Sequence, residues 1–471
     1  MPAEWSSGRD LLLDLDRAAG LRHGIEHALR EAIRSGRLPR GTVLPSSRSL
    51  ACDLGAARGT VSAAYQQLSS EGYLTARQGA AVWVSWVPPR RQPNPPSPPS
   101  PERPRWDLRP GRPDHTSFPR STWERAHQRA VARAPDEIFG YGDARGSASL
   151  RGALAEYLGR ARGVDTSPAN LLICSGFTHA LTLICFALRV SGATTLAVED
   201  PGVPHYRRLA EPLGLRLVPV PCDEAGLRTD QLARTRADAV LVTPAHQYPL
   251  GVTMSADRRT ALIEWARCHD TLIIEDDYDG EFRYDRQPAG ALQQLDPERV
   301  IYVGTASKTL APGLRLGWVA VPESLGGAAG LARQSFYRGT GVLEQLTLAE
   351  LMTSGAFDRH IRRMRTQYRR RRDELASTLA ASLPQLGLAG ISAGLHALIY
   401  LPGHGPTEQQ IQSRAARLSV AIHTLGAHWQ QPPDPSPQAI IVGYATPASH
   451  AYRPALEALA ELLAMEPDDQ P

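Results

Sequence analysis

Lys308 is the only lysine in a chain of 471 residues whose Lys and Arg together number 52. Arginine replaces lysine well as a surface charge or an ion-pair partner, but its guanidinium keeps its proton near neutral pH. The task it cannot perform is that of a primary amine condensing with an aldehyde. Lys308 stands in a Ser/Thr/Gly-rich turn, Gly304-Thr305-Ala306-Ser307-Lys308-Thr309, directly after the apolar run Val300-Ile301-Tyr302-Val303. That setting predicts a lysine that holds a carbonyl compound.

Three further stretches carry matching chemistry. Ser175-Gly176-Phe177-Thr178 lies between a strand-like run, Leu171 to Cys174, and a helix beginning near His179. Its backbone N–H groups and the Thr178 hydroxyl can bind a phosphate at the helix N-terminus. Glu275-Asp276-Asp277-Tyr278 follows the run Leu272 to Ile274 and offers a carboxylate for a protonated pyridine nitrogen and a phenol for a ring hydroxyl. Arg315, seven residues beyond Lys308, adds a fixed positive charge for the same phosphate. Amine, carboxylate, phenol and phosphate site are together the needs of pyridoxal 5'-phosphate.

These residues need a scaffold that brings loop ends together. From Trp106 onward, short apolar runs (Leu171–Cys174, Thr195–Val198, Leu215–Val220, Ala239–Val242, Thr271–Ile274, Val300–Val303, Gly317–Ala320) alternate with helical patterns such as Ala180 to Val190 and Ala256 to Cys268. This order predicts an α/β domain over residues 106–467, a mostly parallel sheet with helices on both faces. Ligands of such sheets sit at the carboxyl ends of the strands, where the four motifs fall.

Residues 10–85 read differently. Leu21, Ile25, Leu29 and Ile33 form one apolar helical stripe closed by Gly36. Leu38 to Pro45 is a Pro/Gly turn segment, Ser46 or Ser47 caps a short helix through Leu54, and after Gly55 a third helix runs from about Ala57 to about Ser70. Two short helices about a glycine turn suit a helix-turn-helix, and Gly72 to Val84 reads as two strands about Gln78-Gly79, a wing. Arg58, Gly59, Thr60 and Ser62 open the third helix, where they can reach bases and phosphates.

Between the two regions, residues 86–105 form a spacer with nine prolines in the nineteen residues from Trp86 to Pro104. As polyproline II it reaches ~60 Å at ~3.1 Å per residue. A net charge of +4 places any nucleic-acid contact in a local patch. No run approaches the ~20 apolar residues of a membrane span, and the acidic amino terminus around Leu11-Leu12-Leu13 is no secretory signal. Five scattered cysteines without metal-like spacing predict buried thiols in a reducing cytoplasm and no metal site. Arg362, Arg363, Arg365 and Arg369 to Arg372 make a basic helix segment, read as solvated or paired between domains rather than as a second DNA contact.

The run LPSSRSLACDLGAARGTVSAAYQQLSSEGYLTARQG resembles the winged helix-turn-helix of the GntR regulators. The resemblance implies that Arg48, Arg58, Thr60 and the wing tip at Gln78 and Gly79 meet DNA. The large domain resembles fold-type I, class I aminotransferases, with a smaller carboxyl-terminal α+β subdomain. The whole chain is similar to the MocR subfamily of GntR regulators. That similarity implies pyridoxal phosphate on Lys308, Asp276 at its pyridine nitrogen and Tyr278 at its ring oxygen. It also places Gly176, Phe177, Thr178, Arg315 and either Ser307 or Thr305 around the phosphate. His246 falls where aminotransferases have the asparagine that contacts the ring oxygen, and Tyr141 would come from the neighbouring subunit of a domain-swapped homodimer.

Two positions depart from the pattern. Val203 stands where relatives stack an aromatic ring on the cofactor, leaving His205 or Tyr206 to substitute. Ile441 stands where aminotransferases carry the arginine that clamps an α-carboxylate. The resemblance therefore implies a homodimeric, cytoplasmic transcriptional regulator that binds operator DNA and senses a small amine or the cofactor itself. The other reading is a working aminotransferase with a DNA-binding appendage.

Overall fold

A computed structural model of the chain describes residues 15–16, 20–76, 81–86, 104–284, 290–326, 330 and 340–464. They fall into two compact units, Met1–Glu102 and Arg103–Pro471.

In the first unit, α1 (Leu21–Arg34) buries Ile25, Leu29 and Ile33 from its apolar stripe. The next helix, α2 (Ser47–Leu54), is capped by Ser46, whose hydroxyl accepts from the Ser49 N–H at 3.1 Å, and ends at Gly55 in the left-handed region (φ 62°). That reversal sets up α3 (Arg58–Ser70), which turns Val61, Ala64, Tyr65 and Leu68 inward. The Tyr65 hydroxyl donates to the Pro45 carbonyl at 2.9 Å, fixing α3 against the chain that enters α2. The expected two-stranded wing is part of a three-stranded sheet: β1 (Val43–Leu44) joins β2 (Leu74–Ala76) and β3 (Val82–Val84) in the order β1-β3-β2. Val43 and Leu44 lie in the stretch read as a turn, and pairing with Trp83 and Val82 overrides that local signal. The wing tip, Gln78 and Gly79, lies outside the described residues.

The second unit begins with β4 (Trp106–Asp107), followed by α4 (Arg120–Arg133) and α5 (Ala148–Arg162). Its main sheet holds β5 (Leu171–Cys174), β6 (Thr195–Asp200), β7 (Arg216–Asp223), β8 (Gly226–Leu227), β9 (Ala239–Val242), β10 (Leu272–Asp277), β11 (Val300–Thr305) and β12 (Gly317–Ala320). The spatial order is β5-β12-β11-β10-β9-β6-β7-β8. The five strands from β11 to β7 run parallel, as expected of the α/β pattern. The strand β12 is antiparallel to β11 and β5, and β8 is antiparallel to β7. Three helices follow sheet strands: α6 (Phe177–Val190), α7 (Pro204–Ala210) and α9 (Ala256–His269), with the single turn α8 (Thr229–Leu232) before β9. Residues of α6 pack on one face of the sheet in one core cluster, and those of α5 on another, with Trp318 among their buried partners.

After α10 (Val342–Thr353), the long α11 (Ala356–Ser382) leads to a smaller antiparallel sheet of β13 (Leu388–Ala389), β14 (His396–Tyr400), β16 (His423–Thr424) and β17 (Ala439–Gly443). Within it lie α12 (Glu408–Arg417) and β15 (Val420–Ala421), the latter pairing with β4, and α13 (Tyr452–Leu463) follows. The basic segment lies inside α11, where Arg371 is buried and pairs with Asp114 at 2.9 Å.

Two boundaries differ from the sequence reading in ways that matter for the site. The strand β10 continues through Glu275, Asp276 and Asp277 instead of ending at Ile274. Neighbouring groups satisfy two of these buried carboxylates: Glu275 accepts from the Leu292 and Gln293 N–H groups at 2.7 and 2.9 Å. Asp277 pairs with Arg162 at 2.6 Å. Helix α6 starts at Phe177, two residues before His179, so Gly176 is its N-cap.

Candidate functional site

A cavity of about 700 Å³ lies where the carboxyl ends of β5, β6, β10 and β11 converge, all within the second unit. Lys308, in the turn after β11, reaches its floor and donates from Nζ to the Gly111 carbonyl at 2.6 Å. Burial holds the Lys308 amine below its ordinary value, against the pull of Asp276 and Asp279, and the Arg112 guanidinium lowers it further. A lowered amine is more often unprotonated, which is the form that attacks a carbonyl.

Asp276 shares the floor. Its Oδ2 accepts a short hydrogen bond from the Tyr206 hydroxyl, while Oδ1 is buried and has no partner. Burial pushes the Asp276 carboxyl up to about 8, with the Tyr206 hydrogen bond and Lys308 acting in the opposite sense. Tyr278, two residues on, lines the same wall and donates to the His246 carbonyl at 3.0 Å.

The far end suits an anion. Gly176, with φ 97°, caps α6 in a conformation that an L side chain rarely adopts, so the first N–H groups of the helix are open beside Phe177 and Thr178. Across from them, the Ser307 N–H and the Thr305 hydroxyl are 3.1 Å apart, and Thr305 donates to Ser307 Oγ at 2.9 Å. Arg315 reaches the cavity from a left-handed residue (φ 52°) that ends the turn Pro312–Leu314. Strain of this kind is kept where the surroundings demand it.

Nine of the eleven predicted cofactor residues therefore line one cavity: Lys308, Asp276, Tyr278, Gly176, Phe177, Thr178, Thr305, Ser307 and Arg315. Two stand elsewhere. His246 is behind Tyr278, with Nδ1 3.0 Å from Asp279 Oδ2 and 3.2 Å from the Tyr278 hydroxyl, and does not line the cavity. The reason is a shift of two along the chain, since it is Tyr248, next to Pro249, that turns to the wall. Tyr141 is 90% exposed and away from the cavity of its own chain.

Tyr206 and Tyr248 are the site residues that sequence reasoning did not assign. The sequence offers Tyr206 for stacking; in the structure its ring meets Phe177 at 4.8 Å and its hydroxyl reaches Asp276. The available signal was helical: α7 starts at Pro204, so position 206 faces the same way as 203. For Tyr248 the signal was its place immediately before Pro249 at the close of the loop after β9. Behind the wall, His246, Asp279 and His396 form a buried group whose ligand-capable atoms lie within 4.8 Å of one another. No spacing in the sequence hints at this group, because its members are more than a hundred residues apart at the extremes.

The arrangement fits pyridoxal phosphate on the structure's own terms. Asp276, with one buried carboxylate oxygen unsatisfied, lines a cavity that also holds an amine whose proton affinity burial has lowered. A helix N-terminus with a glycine cap and an arginine faces both from the other end. Bound there, the coenzyme supplies an aldehyde for an amine and a ring that withdraws electrons once its nitrogen is protonated. The residues that would hold it are Asp276 opposite the ring nitrogen and Arg315 with the α6 N-terminus at the phosphate.

In the first unit, Arg48, Arg58 and Gly59 are exposed, and Thr60 and Ser62 are half-buried, at the start of α2 and of α3. Arg58 and Gly59 occupy the first turn of α3, so their side chain and backbone face solvent together.

Residues 21–84 match the family described as bacterial regulatory proteins, gntR family, and residues 110–423 match aminotransferase class I and II. Over 406 residues the chain is 34% identical to the pyridoxine biosynthesis transcriptional regulator PdxR of Corynebacterium glutamicum, covering 85% of this chain and 87% of that protein. It is also 34% identical to the probable rhizopine catabolism regulatory protein MocR of Rhizobium meliloti, over 77% of each chain. Among solved structures, a multiple substrate aminotransferase of Thermococcus profundus superposes with a TM-score of 0.68 at 28% identity, covering 76% of this chain and 90% of that one.

Proposed function

From the premise that this chain belongs to the MocR-type transcriptional regulators, which join a GntR helix-turn-helix to a pyridoxal-phosphate-dependent aminotransferase class I and II domain, we propose that it is an amine-responsive repressor or activator. It binds operator DNA through Arg48, Arg58, Gly59, Thr60, Ser62 and the wing tip, and holds the coenzyme on Lys308. An amine that displaces Lys308, or occupancy by the coenzyme alone, shifts operator affinity. Such coupling requires ligand affinity to differ between the DNA-competent state and the other.

The observation that carries the reading is the cavity around the chain's single lysine, with Asp276 at one end and Arg315 with the α6 N-terminus at the other. We assign a cytoplasmic homodimer, in which Tyr141 of one subunit reaches the cavity of its partner. Phe139 and Tyr141, 59% and 90% exposed just before α5, support a surface covered in the assembly. No described helix is long and apolar enough to cross a membrane.

The test is Lys308→Ala. The purified wild type should take up the coenzyme with a visible absorbance band, and its operator affinity should change on loading. The variant should lack both responses while melting as a folded protein. A variant that retains the wild-type band would remove the assignment. Conversion of bound coenzyme to its amine form in a single turnover with any amino-acid donor would favour the aminotransferase reading instead.

A further inference from the structure

Behind the cavity wall, three side chains from three separate elements meet out of reach of solvent. His246 comes from the loop after β9, Asp279 from the turn after β10, and His396 opens β14 of the smaller sheet. They are 3%, 2% and 3% exposed, and none of them lines the cavity around Lys308. One nitrogen of each imidazole and one Asp279 oxygen lie within 4.8 Å of one another. The two rings are 4.9 Å apart between centroids and tilted by 39°.

Hydrogen bonds assign the tautomers of both rings. Asp279 Oδ2, 3.0 Å away, takes the proton of His246 Nδ1, and the Pro249 carbonyl, 3.3 Å away, takes that of His396 Nε2. The other nitrogens, His246 Nε2 and His396 Nδ1, are then lone-pair acceptors, and each is buried without a partner among the described residues. Native interiors keep few such atoms, and here two fall on neighbouring rings. The backbone is shaped to the group as well. A Cβ on Gly394 (φ 73°) would stand 2.1 Å from His246 Cε1 and 2.6 Å from Asp279 Oδ2, so only glycine fits there.

Two imidazoles with a lone pair to offer and one carboxylate are a ligand set for zinc, which takes nitrogen and oxygen at about 2.0–2.2 Å. Magnesium and calcium, which prefer oxygen ligands throughout, match it poorly. The Asp279–His246 pair also has the carboxylate–imidazole form that orients metal-bound histidines. Tetrahedral zinc wants ligand atoms about 3.3 Å apart, so the widest separation has to close by about 1.5 Å. Asp279 offers two oxygens, which lets three side chains fill four positions. The sequence reading excluded a metal on cysteine spacing, and this group uses no cysteine.

We propose that His246, Asp279 and His396 bind one zinc ion, a structural site that ties the loops after β9 and β10 to the smaller antiparallel sheet. The site is independent of the coenzyme reading, because Lys308 and its cavity take no part in it.

The experiment uses the full-length protein, stripped with a chelator and then titrated with zinc, or with cobalt(II) as a coloured stand-in. One equivalent of zinc per chain should survive gel filtration, counted by elemental mass spectrometry, and cobalt should show the strong visible bands of a tetrahedral site. His396→Gln and Asp279→Asn should each weaken zinc binding at least about tenfold. The melting midpoint of the wild type should rise by at least about 3 °C with zinc at about a hundredfold excess over its dissociation constant, and should not move with magnesium. That measurement needs no variant, so it decides the matter even where a substitution prevents folding. Lys308→Ala should keep the full equivalent, as should a protein with the two exposed thiols, Cys52 and Cys268, changed to serine. No retained zinc, an unmoved midpoint, undiminished binding in His396→Gln and Asp279→Asn, or loss of zinc in the Lys308 or cysteine variant would each overturn the proposal.

Discussion

Replacing Tyr206 by Phe removes one hydroxyl and tests how Asp276 is prepared for a pyridinium. Burial first, then the Asp277 and Asp279 carboxylates, drive the Asp276 carboxyl upward, and the Tyr206 hydroxyl is its only hydrogen-bond donor among the described residues. A hydrogen bond to a charged group is worth about 1.5–3 kcal/mol, or about one to two pKa units. Without it, the carboxyl rises from about 8 toward about 9–10. Near pH 7.5 the ionised fraction then drops from about one quarter to a few per cent or less. The coenzyme's ring nitrogen would face a carboxyl that has to be ionised first, so its affinity should fall about ten- to a hundredfold. The ring contact with Phe177 at 4.8 Å is preserved in the variant, which limits structural side effects. Equilibrium dialysis of the coenzyme from about pH 6 to about pH 9.5 reads both effects: weaker binding near neutrality, and a binding midpoint moved up by about one to two units. Affinity within twofold of the wild type with an unmoved midpoint would refute the idea that Tyr206 sets the charge of Asp276.

Two further outcomes are expected. Arg58→Ala should weaken operator binding and lower the slope of log affinity against log salt by about 0.9, the share of one phosphate, as read by fluorescence anisotropy over a salt series. An unchanged slope would remove Arg58 from the phosphate contacts. Glu199 is fully buried, and burial pushes it from 4.5 up to about 7, with hydrogen bonds from Thr243 and Gln247 opposing. Because its folded value is raised, the folded state keeps a proton that the unfolded state releases, and stability from this group is present at low pH and lost as pH rises through about 7. Its contribution across that window is on the order of 3 kcal/mol. Chemical denaturation of Glu199→Gln at several pH values should flatten this fall, and an equally steep fall in the variant would acquit Glu199.

The sequence was most legible where one residue type has one job. Lys308 announced itself because every other basic position is arginine, and Gly176 and Arg315 followed from their distance to strand ends. The parallel sheet was legible for a related reason: strands buried on both faces are unbroken apolar runs, and all seven expected runs begin within one residue of an observed strand start. Sequence was less informative about groups that become tolerable only through long-range partners. Three consecutive carboxylates, Glu275 to Asp277, look like a loop until Leu292, Gln293, Arg162 and Tyr206 arrive to pair with them, from as far as 115 residues away, leaving only Asp276 Oδ1 of the three without a partner among the described residues. The strand β1 was read as a turn because only its pairing with β3 makes it a strand.

The same distinction explains why His246 does not line the cavity. His246 and Tyr248 are two apart in an irregular loop, where no helical or strand period says which one faces inward. Resemblance favoured His246, which falls where aminotransferases have the asparagine that contacts the ring oxygen. Packing decided otherwise, because Asp279, at 3.0 Å, captures the His246 imidazole from behind Tyr278 and leaves Tyr248 to close the cavity. His246 therefore acts on the coenzyme site through Tyr278, whose hydroxyl it meets at 3.2 Å and whose position the His246 carbonyl fixes at 3.0 Å. Asp279, three residues beyond Asp276, thus bears on the cavity wall through an imidazole and a phenol as well as through its charge on Lys308 and Asp276. Whatever alters that pair alters how Tyr278 is held, without touching the cavity at all.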